Sequence, residues 1–421
     1  MLSNSSLVQN KGARWLRCSP VPKALCALIG ALLLTPLVAH AQDASPVTLG
    51  ILMPKQGVLG EIGRDGQRGA MMAIEDADSK VLNRPVKVVW ADDPNPQAAQ
   101  ENFSKMVDAD KVVAIVGGIS SASTLASSAT AKQRKIPFVS VTAATNELTG
   151  KLCNRYTFRT FTPISVSARA LEGPMLEKGK KWYFIVPNYA TGQDIYRDMH
   201  ADLLKAGGEE VGYDNVAMDN SDFSSFILKI RQAKPDAVIV GQVGSGLVSF
   251  LKQWGQYGMA GKIPLGDPTI SESLLWALPP ESETGTYVKF WDYNDPANPP
   301  IERKFARDYR KKFGEPASLV AWSGWMSTRA VLAAIEAGKS TDPASIVHQL
   351  ETLKWQDRKV TSYYRPWDHQ FIHPVAIGIA RPPKADKWDV LDIAKSIPAD
   401  NSQVEAIFGS KADSSCQMDS L

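Results

Sequence analysis

The chain has 421 residues, with 47 Lys and Arg against 44 Asp and Glu, 8% aromatic residues and four cysteines. The first 41 residues hold four of the basic residues (Lys11, Arg14, Arg17, Lys23) and no acidic one, so the remainder has no net positive charge. That balance excludes an electrostatic attraction to nucleic acid or anionic lipid. Residues 1–41 read as a cleaved export signal: the basic stretch, an apolar run Ala24–Val38, then Ala39-His40-Ala41. The run is about 15 residues, short of the roughly 20 that span a bilayer, so no direct membrane insertion is expected. The remaining length exceeds what one hydrophobic core usually holds, which predicts two lobes. Cys18 and Cys26 leave with the signal, so Cys153 and Cys416 remain. In an oxidising compartment they most simply form one disulfide, two separate thiols being the alternative.

From Val47 onward, short apolar runs alternate with helical periodicity. Strands are predicted at 47–53, 86–90, 112–116 and 136–141, with helices carrying Ala70, Ile74 and Ala77, then Ala99, Phe103 and Met106, then 123–134. The run V-V-A-I-V (112–116) is apolar on every residue, as a strand covered on both faces must be. The rhythm restarts after 157–163. Strands at 183–186 and 237–240 each precede a helix, the first with Ile195, Met199 and Leu203, the second with Leu247, Leu251 and Trp254. Beyond Asp292 come helices at about 299–313 and 318–338, then strand-like stretches at 360–365 and 371–380. The predicted fold class is α/β, with two doubly wound parallel-sheet lobes joined by three crossings. Lobe one takes 42–162 and about 293–355, and lobe two takes 163–292 and about 356–390. A tail of 391–421 is tied to lobe one.

Catalytic chemistry finds no carrier. His369 and His373 are four apart, but in a stretch read as extended around Pro374, which suits surface or structural roles better than metal ligation. Nucleophile-elbow, zinc-protease and P-loop motifs are absent, and Gly244-x-Gly246 lacks a third glycine. Neither an enzyme nor a cofactor or metal site is expected. The informative segments sit at presumed strand ends, where open α/β sheets bind ligands. G-G-I-S-S-A-S-T (117–124) places Ser120, Ser121, Ser123 and Thr124 at a helix start, a receptor for a carboxylate or another acceptor-rich group. The bland alternative is helix capping. A second polar edge, T-A-A-T-N-E-L (142–148), offers Thr145 and Asn146. In lobe two, Tyr189, Thr191 and Gln242 are placed to close over a ligand, and Asp267 is the acidic residue at a strand end. The tryptophans at 291, 322 and 325 suit packing.

In this order, several segments resemble the type I periplasmic binding proteins of the leucine/isoleucine/valine-binding class. They are R-D-G-Q-R-G-A-M-M-A-I-E-D-A (64–77), D-D-P-N-P-Q-A-A (92–99), V-V-A-I-V-G-G-I-S-S-A-S-T (112–124), I-P-F-V-S-V-T-A-A-T-N (136–146), Y-T-F-R-T (156–160) and F-G-E-P-A (313–317). The resemblance runs from Val47 to about Ala380. It implies two lobes closing as a hinge around a small-molecule ligand, periplasmic location, a monomeric protein, and delivery to the membrane permease of an ABC importer. It also implies that Ser121 holds a ligand carboxylate and that Ala143, Ala144 and Thr145 hold carboxylate and amino group. The family's binding aromatics fall on Ile62, on Thr191 with Tyr189 two residues earlier, and on Gln242. Its ammonium-binding acid falls on Pro268, beside Asp267. The carboxylate side is therefore kept and the amino side altered, which leaves amino acids and other carboxylates or amides, aromatic acids included, as ligands. A ligand-sensing regulator or receptor component is the alternative function for such a fold.

Overall fold

The computed structural model describes residues 45–357, 360–398 and 400–418. The proposed export signal lies outside them. The first lobe is built on a six-stranded sheet of β1 (Val47–Leu52), β2 (Lys80–Val81), β3 (Arg84–Ala91), β4 (Ala114–Gly117), β5 (Phe138–Ser140) and β6 (Thr157–Arg159). Their order is β2-β3-β1-β4-β5-β6, and every pair but β2–β3 is parallel. Between strands run α1 (Gly60–Asp76), α2 (Pro96–Asp108) and α3 (Ser121–Arg134). All residues of β1 and β4 are buried, which is why the β4 segment reads as an unbroken apolar run rather than an alternating one.

After β6 the chain enters the second lobe: α4 (Ile164–Leu176), β7 (Lys181–Pro187), α5 (Ala190–Lys205), β8 (Glu209–Val216), α6 (Ser224–Ala233), β9 (Ala237–Val240), α7 (Gly244–Gln256), β10 (Leu265–Asp267), α8 (Glu272–Leu275) and β11 (Thr286–Lys289). It returns to the first lobe with α9 (Pro300–Phe313), α10 (Leu319–Gly338) and α11 (Pro343–Thr352). Helix α10 lies against α1 almost backbone to backbone. A Cβ on Gly69 would fall 1.8 Å from the Ala321 carbonyl oxygen, and one on Gly324 would fall 2.2 Å from that of Gly66. Glycine at these positions lets a helix buried along most of its length seat directly on lobe one.

The closing strands depart from expectation in two ways. Strands β12 (Lys354–Asp357), β13 (Val360–Tyr364) and β14 (Phe371–Ile372) form a separate antiparallel sheet and do not join lobe two. Gln370 beside β14 bridges to Arg159 at the first sheet's edge. Then β15 (Val375–Ala380) and β16 (Leu391–Ile397) add to the second sheet, whose order is β16-β15-β11-β10-β9-β7-β8, with the last two strands in sequence antiparallel. The sheet is therefore mixed, because β15 and β16 follow a hairpin-like connection while the parallel strands are linked through helices. Residues 391–397, expected in a tail on lobe one, form the edge strand of the lobe-two sheet. The terminal helix α12 (Val404–Phe408) packs on α4 of the same lobe. Only beyond it does the chain reach lobe one, where Cys416 is disulfide-bonded to Cys153.

Three segments connect the lobes, at 161–163, 290–292 and 372–374. Their rings pack together, Phe161 edge-on to Phe290 at 4.7 Å and Phe290 against His373 at 4.9 Å. His373 is fully buried and faces the Thr162 hydroxyl. His369 is buried too, stacked on Phe158 at 3.8 Å with Nε2 2.8 Å from Glu351. Both histidines are thus structural, and neither is a surface residue. Trp291, Trp322 and Trp325 are buried around the same joint. Among the described residues no helix is long and apolar enough to cross a membrane, and no His, Cys, Asp and Glu cluster could hold a metal ion.

Candidate functional site

Between the lobes lies a small cavity lined by residues of both. The carboxyl ends of β4 and β5 supply its lobe-one wall, and the loops after β7, β9 and β10 supply the opposite one. At the end of β4, Gly118 turns with φ +77°, and α3 starts directly afterwards. Ser120 sits at its N-cap but makes no side-chain capping bond. The first-turn N–H groups therefore lack a side-chain partner, and the Ser120 and Ser121 hydroxyls face the cavity with Thr142. The Thr142 hydroxyl is buried with no hydrogen-bond partner.

Most of the remaining wall is apolar: Leu59, Ile62, Ile119, Ala144, Phe161, Val243, Ile270, Leu319 and Val320. Lobe two adds the hydroxyl-bearing residues Tyr189, Thr191, Thr269 and Ser271. No Asp, Glu, Lys, Arg or His lines the cavity. Burial pushes the Tyr189 hydroxyl up to about 12, so it stays a neutral donor and acceptor at physiological pH.

Of the residues singled out in the sequence, Ser120, Ser121, Ala144, Tyr189 and Thr191 line this space. The other four stand behind its wall. Ala143 and Thr145 are fully buried in the loop after β5. Gln242 is buried, and neither polar atom of its amide has a partner. Asp267 is 1% exposed; one carboxyl oxygen accepts from Thr269 N–H and O–H at 2.7 and 3.1 Å, and the other has no partner. Burial raises this carboxyl well above the usual range. Tyr189 and Thr269, its neighbours, are what face the cavity. Phe161, Leu319 and Val320 were not anticipated. They come from the first crossing and from the α10 start, and their apolar types look in the sequence like ordinary core.

The lobes meet tightly around the cavity. Ser121 Oγ and Thr191 Oγ1 are 2.6 Å apart, and the Thr145 amide donates to Ser121 Oγ at 3.4 Å. Thr145 Oγ1 and the Asn146 amide both donate to Asp194 Oδ2, at 2.7 and 2.8 Å. Asn146 Nδ2 donates to Asp198 Oδ2 at 2.6 Å. At another edge, Glu272 accepts from the Leu319 amide at 3.0 Å and approaches Lys289 at 3.5 Å. Its carboxyl is raised to about 7 by burial, with Lys289 opposing.

Two α/β lobes, three aromatic-packed crossings and an uncharged cavity between the lobes define a two-lobed binding protein of the hinge-closing kind. Residues 46–383 match the family model described as periplasmic binding protein. The chain belongs to that periplasmic family, whose members bind solutes and are not catalytic domains. It is 28% identical over 330 residues to a Leu/Ile/Val-binding protein homolog of Brucella melitensis, covering 76% of this chain and 83% of that one. A periplasmic binding protein from Burkholderia mallei superposes with a TM-score of 0.81 at 24% identity, over 89% of this chain and 99% of that one. A solute-binding protein of an ABC transporter from Rhodopseudomonas palustris, in complex with 3,4-dihydroxybenzoic acid, gives 0.76 at 22% identity, over 83% and 97%.

Proposed function

We propose that the chain is the periplasmic component of an ABC importer, and that its interlobe cavity captures a small carboxylate with an apolar, ring-sized body and delivers it to the permease. The observation that carries this reading is the lining. Hydroxyls and helix N–H groups at the α3 start suit a carboxylate, apolar side chains surround the rest, and no ionic group is present. Ser120 and Ser121 take the carboxylate, with Ala143, Ala144 and Thr145 shaping the adjoining loop. Tyr189, Thr191 and Thr269 meet hydroxyl or carbonyl groups at the far end.

An α-ammonium has no carboxylate to meet on the cavity surface, since Asp267 stands behind Tyr189 and Thr269. Burying an unpaired charge costs several kcal/mol. Aromatic acids, such as the one held by the Rhodopseudomonas palustris protein, therefore fit better than the aliphatic amino acids in the name of the Brucella melitensis relative. Capture works by differential affinity: the closed form gains contacts with both lobes that the open form lacks.

The test is thermal-shift and calorimetric titration of protein stripped by unfolding and refolding, against benzoate, 4-hydroxybenzoate, 3,4-dihydroxybenzoate, leucine and valine. Benzoates should raise the melting temperature at micromolar to sub-millimolar concentration, and leucine and valine should do so less. Binding of leucine in preference to every benzoate would overturn the assignment of ligand class.

A further inference from the structure

Helix α5 grips the ligand loop of the opposite lobe with side chains that do not line the cavity. Asp194 is 3% exposed, and one of its oxygens accepts both the Thr145 hydroxyl, at 2.7 Å, and the Asn146 amide, at 2.8 Å. Asp198, one turn further along, accepts from the Asn146 side chain at 2.6 Å. Arg197 lies between them and pairs with Asp194 at 2.8 Å and Asp198 at 2.9 Å. On the lobe-one side, Arg159 donates to the Thr145 carbonyl, so the loop is held from behind as well; the Asn146 side chain also accepts from the Ser165 amide, at the start of α4 in lobe two, at 2.9 Å. Thr191, three residues before Asp194 and so on the same helix face, meets Ser121 at 2.6 Å. Because the Thr145 amide points to Ser121, the contacts form a ring across the cleft: Thr191, Ser121, Thr145, Asp194.

We propose that Asp194 is a closure clasp: a positioning residue that, with Asp198, holds Thr145 and Asn146 from the opposite lobe and biases the protein toward the closed form even before a ligand arrives. This rests on the capture-by-closure reading above. The clasp uses protein groups alone, all with partners in the closed form. Opening exchanges charge-assisted bonds to a buried carboxylate for bonds to water, which is the stronger class of hydrogen bond to give up. Its effect should appear in the open–closed equilibrium and in the rate of ligand escape, since the closed state must unclasp before the cavity is exposed.

The test is small-angle X-ray scattering on ligand-free, refolded protein with its disulfide intact, comparing the wild type with Asp194→Asn and Asp198→Asn. The wild-type curve should contain a substantial closed component that fits the present structure. Asp194→Asn should lower the closed-to-open ratio about tenfold, and Asp198→Asn should lower it less. If Asp194→Asn proves misfolded by circular dichroism, Asn146→Ala, which removes the contacts of that side chain to Asp198 and to the Ser165 amide in lobe two, should also expand the protein. A merely structural role would lower the melting temperature and leave the scattering of the folded protein unchanged. Superimposable curves for wild type and folded variants, or a wild type already wholly open, would overturn the proposal. No ligand enters the measurement, so failure of the ligand panel and failure of the clasp are separate outcomes.

Discussion

The carbonyl oxygen of Val58, in the first loop of lobe one, occupies the space a side chain on Gly244 of lobe two would need: a Cβ there would come within 2.2 Å. Gly244 opens α7 with φ +54°, and the amide of Ser245 approaches the same oxygen at 3.4 Å. The first glycine of the G-x-G thus serves contact between the lobes.

Gly244→Ala should therefore hinder closure. The left-handed backbone adds about 1 kcal/mol of strain, but the larger effect is steric and exists only when the lobes meet. Affinity for benzoate should fall at least tenfold by calorimetry, with a much smaller change in the ligand-free melting temperature. Unaltered affinity would mean that the loops move apart at little cost.

Ser121→Ala removes a hydroxyl that faces both the cavity and Thr191. If this hydroxyl holds the ligand carboxylate, a charge-assisted bond worth about 1.5–3 kcal/mol is lost. Benzoate should then bind about 10- to 100-fold more weakly. An equal loss for a neutral isostere such as benzamide would place the hydroxyl against some other part of the ligand.

Asp93 follows β3 and is buried, with neither carboxyl oxygen partnered by another residue; burial raises it to about 8, with Asp92 adding to the shift. In the unfolded chain it titrates near 3.8. The native state thus binds the extra proton between these values, and stability from this group declines as pH rises from about 4 to 8. Asp93→Asn should raise the melting temperature, by more at pH 8 than at pH 5, with a gain of a few kcal/mol at the higher pH. A gain independent of pH would show that the carboxyl is ionised throughout.

Cys153 and Cys416 close a loop of 263 residues. Replacing both by serine should destabilise the protein by about 2–4 kcal/mol in denaturant titration. The midpoint should fall to the value given by the wild type under reducing conditions.

Much of this architecture was legible because it follows from local rules. V-V-A-I-V can be covered on both faces only as an inner strand, and the serines after Gly118 mark a helix start whatever the rest of the chain does. Strand β8 was not legible, since its alternating polar residues (E-E-V-G-Y-D-N-V) suit the sheet edge it occupies and resemble a loop. Nor was β16, whose D-I-A-K-S-I pattern makes sense only beside β15. At the site, polar residues on strand ends could be anticipated, and Ser120, Ser121, Ala144, Tyr189 and Thr191 do face the cavity. Position behind the wall could not, because whether Asp267 faces a ligand or Thr269 depends on a side-chain direction that no spacing encodes. Asp194 gave no signal at all: an aspartate in a helix's first turns is ordinary, and its partners lie 48 and 49 residues away in the other lobe.

The bond between Cys153 and Cys416 also alters what a protease can do. The polypeptide leaves lobe one after Cys153, traverses lobe two, returns, builds most of lobe two's remaining edge, and is then fastened back where it departed. Everything from 153 to 416 is therefore one covalent ring. A single cut at any exposed loop within it opens the ring without freeing either piece. Nicked protein should run as one band without reductant and as two with it, and a binding protein damaged in this way stays assembled for as long as its compartment remains oxidising.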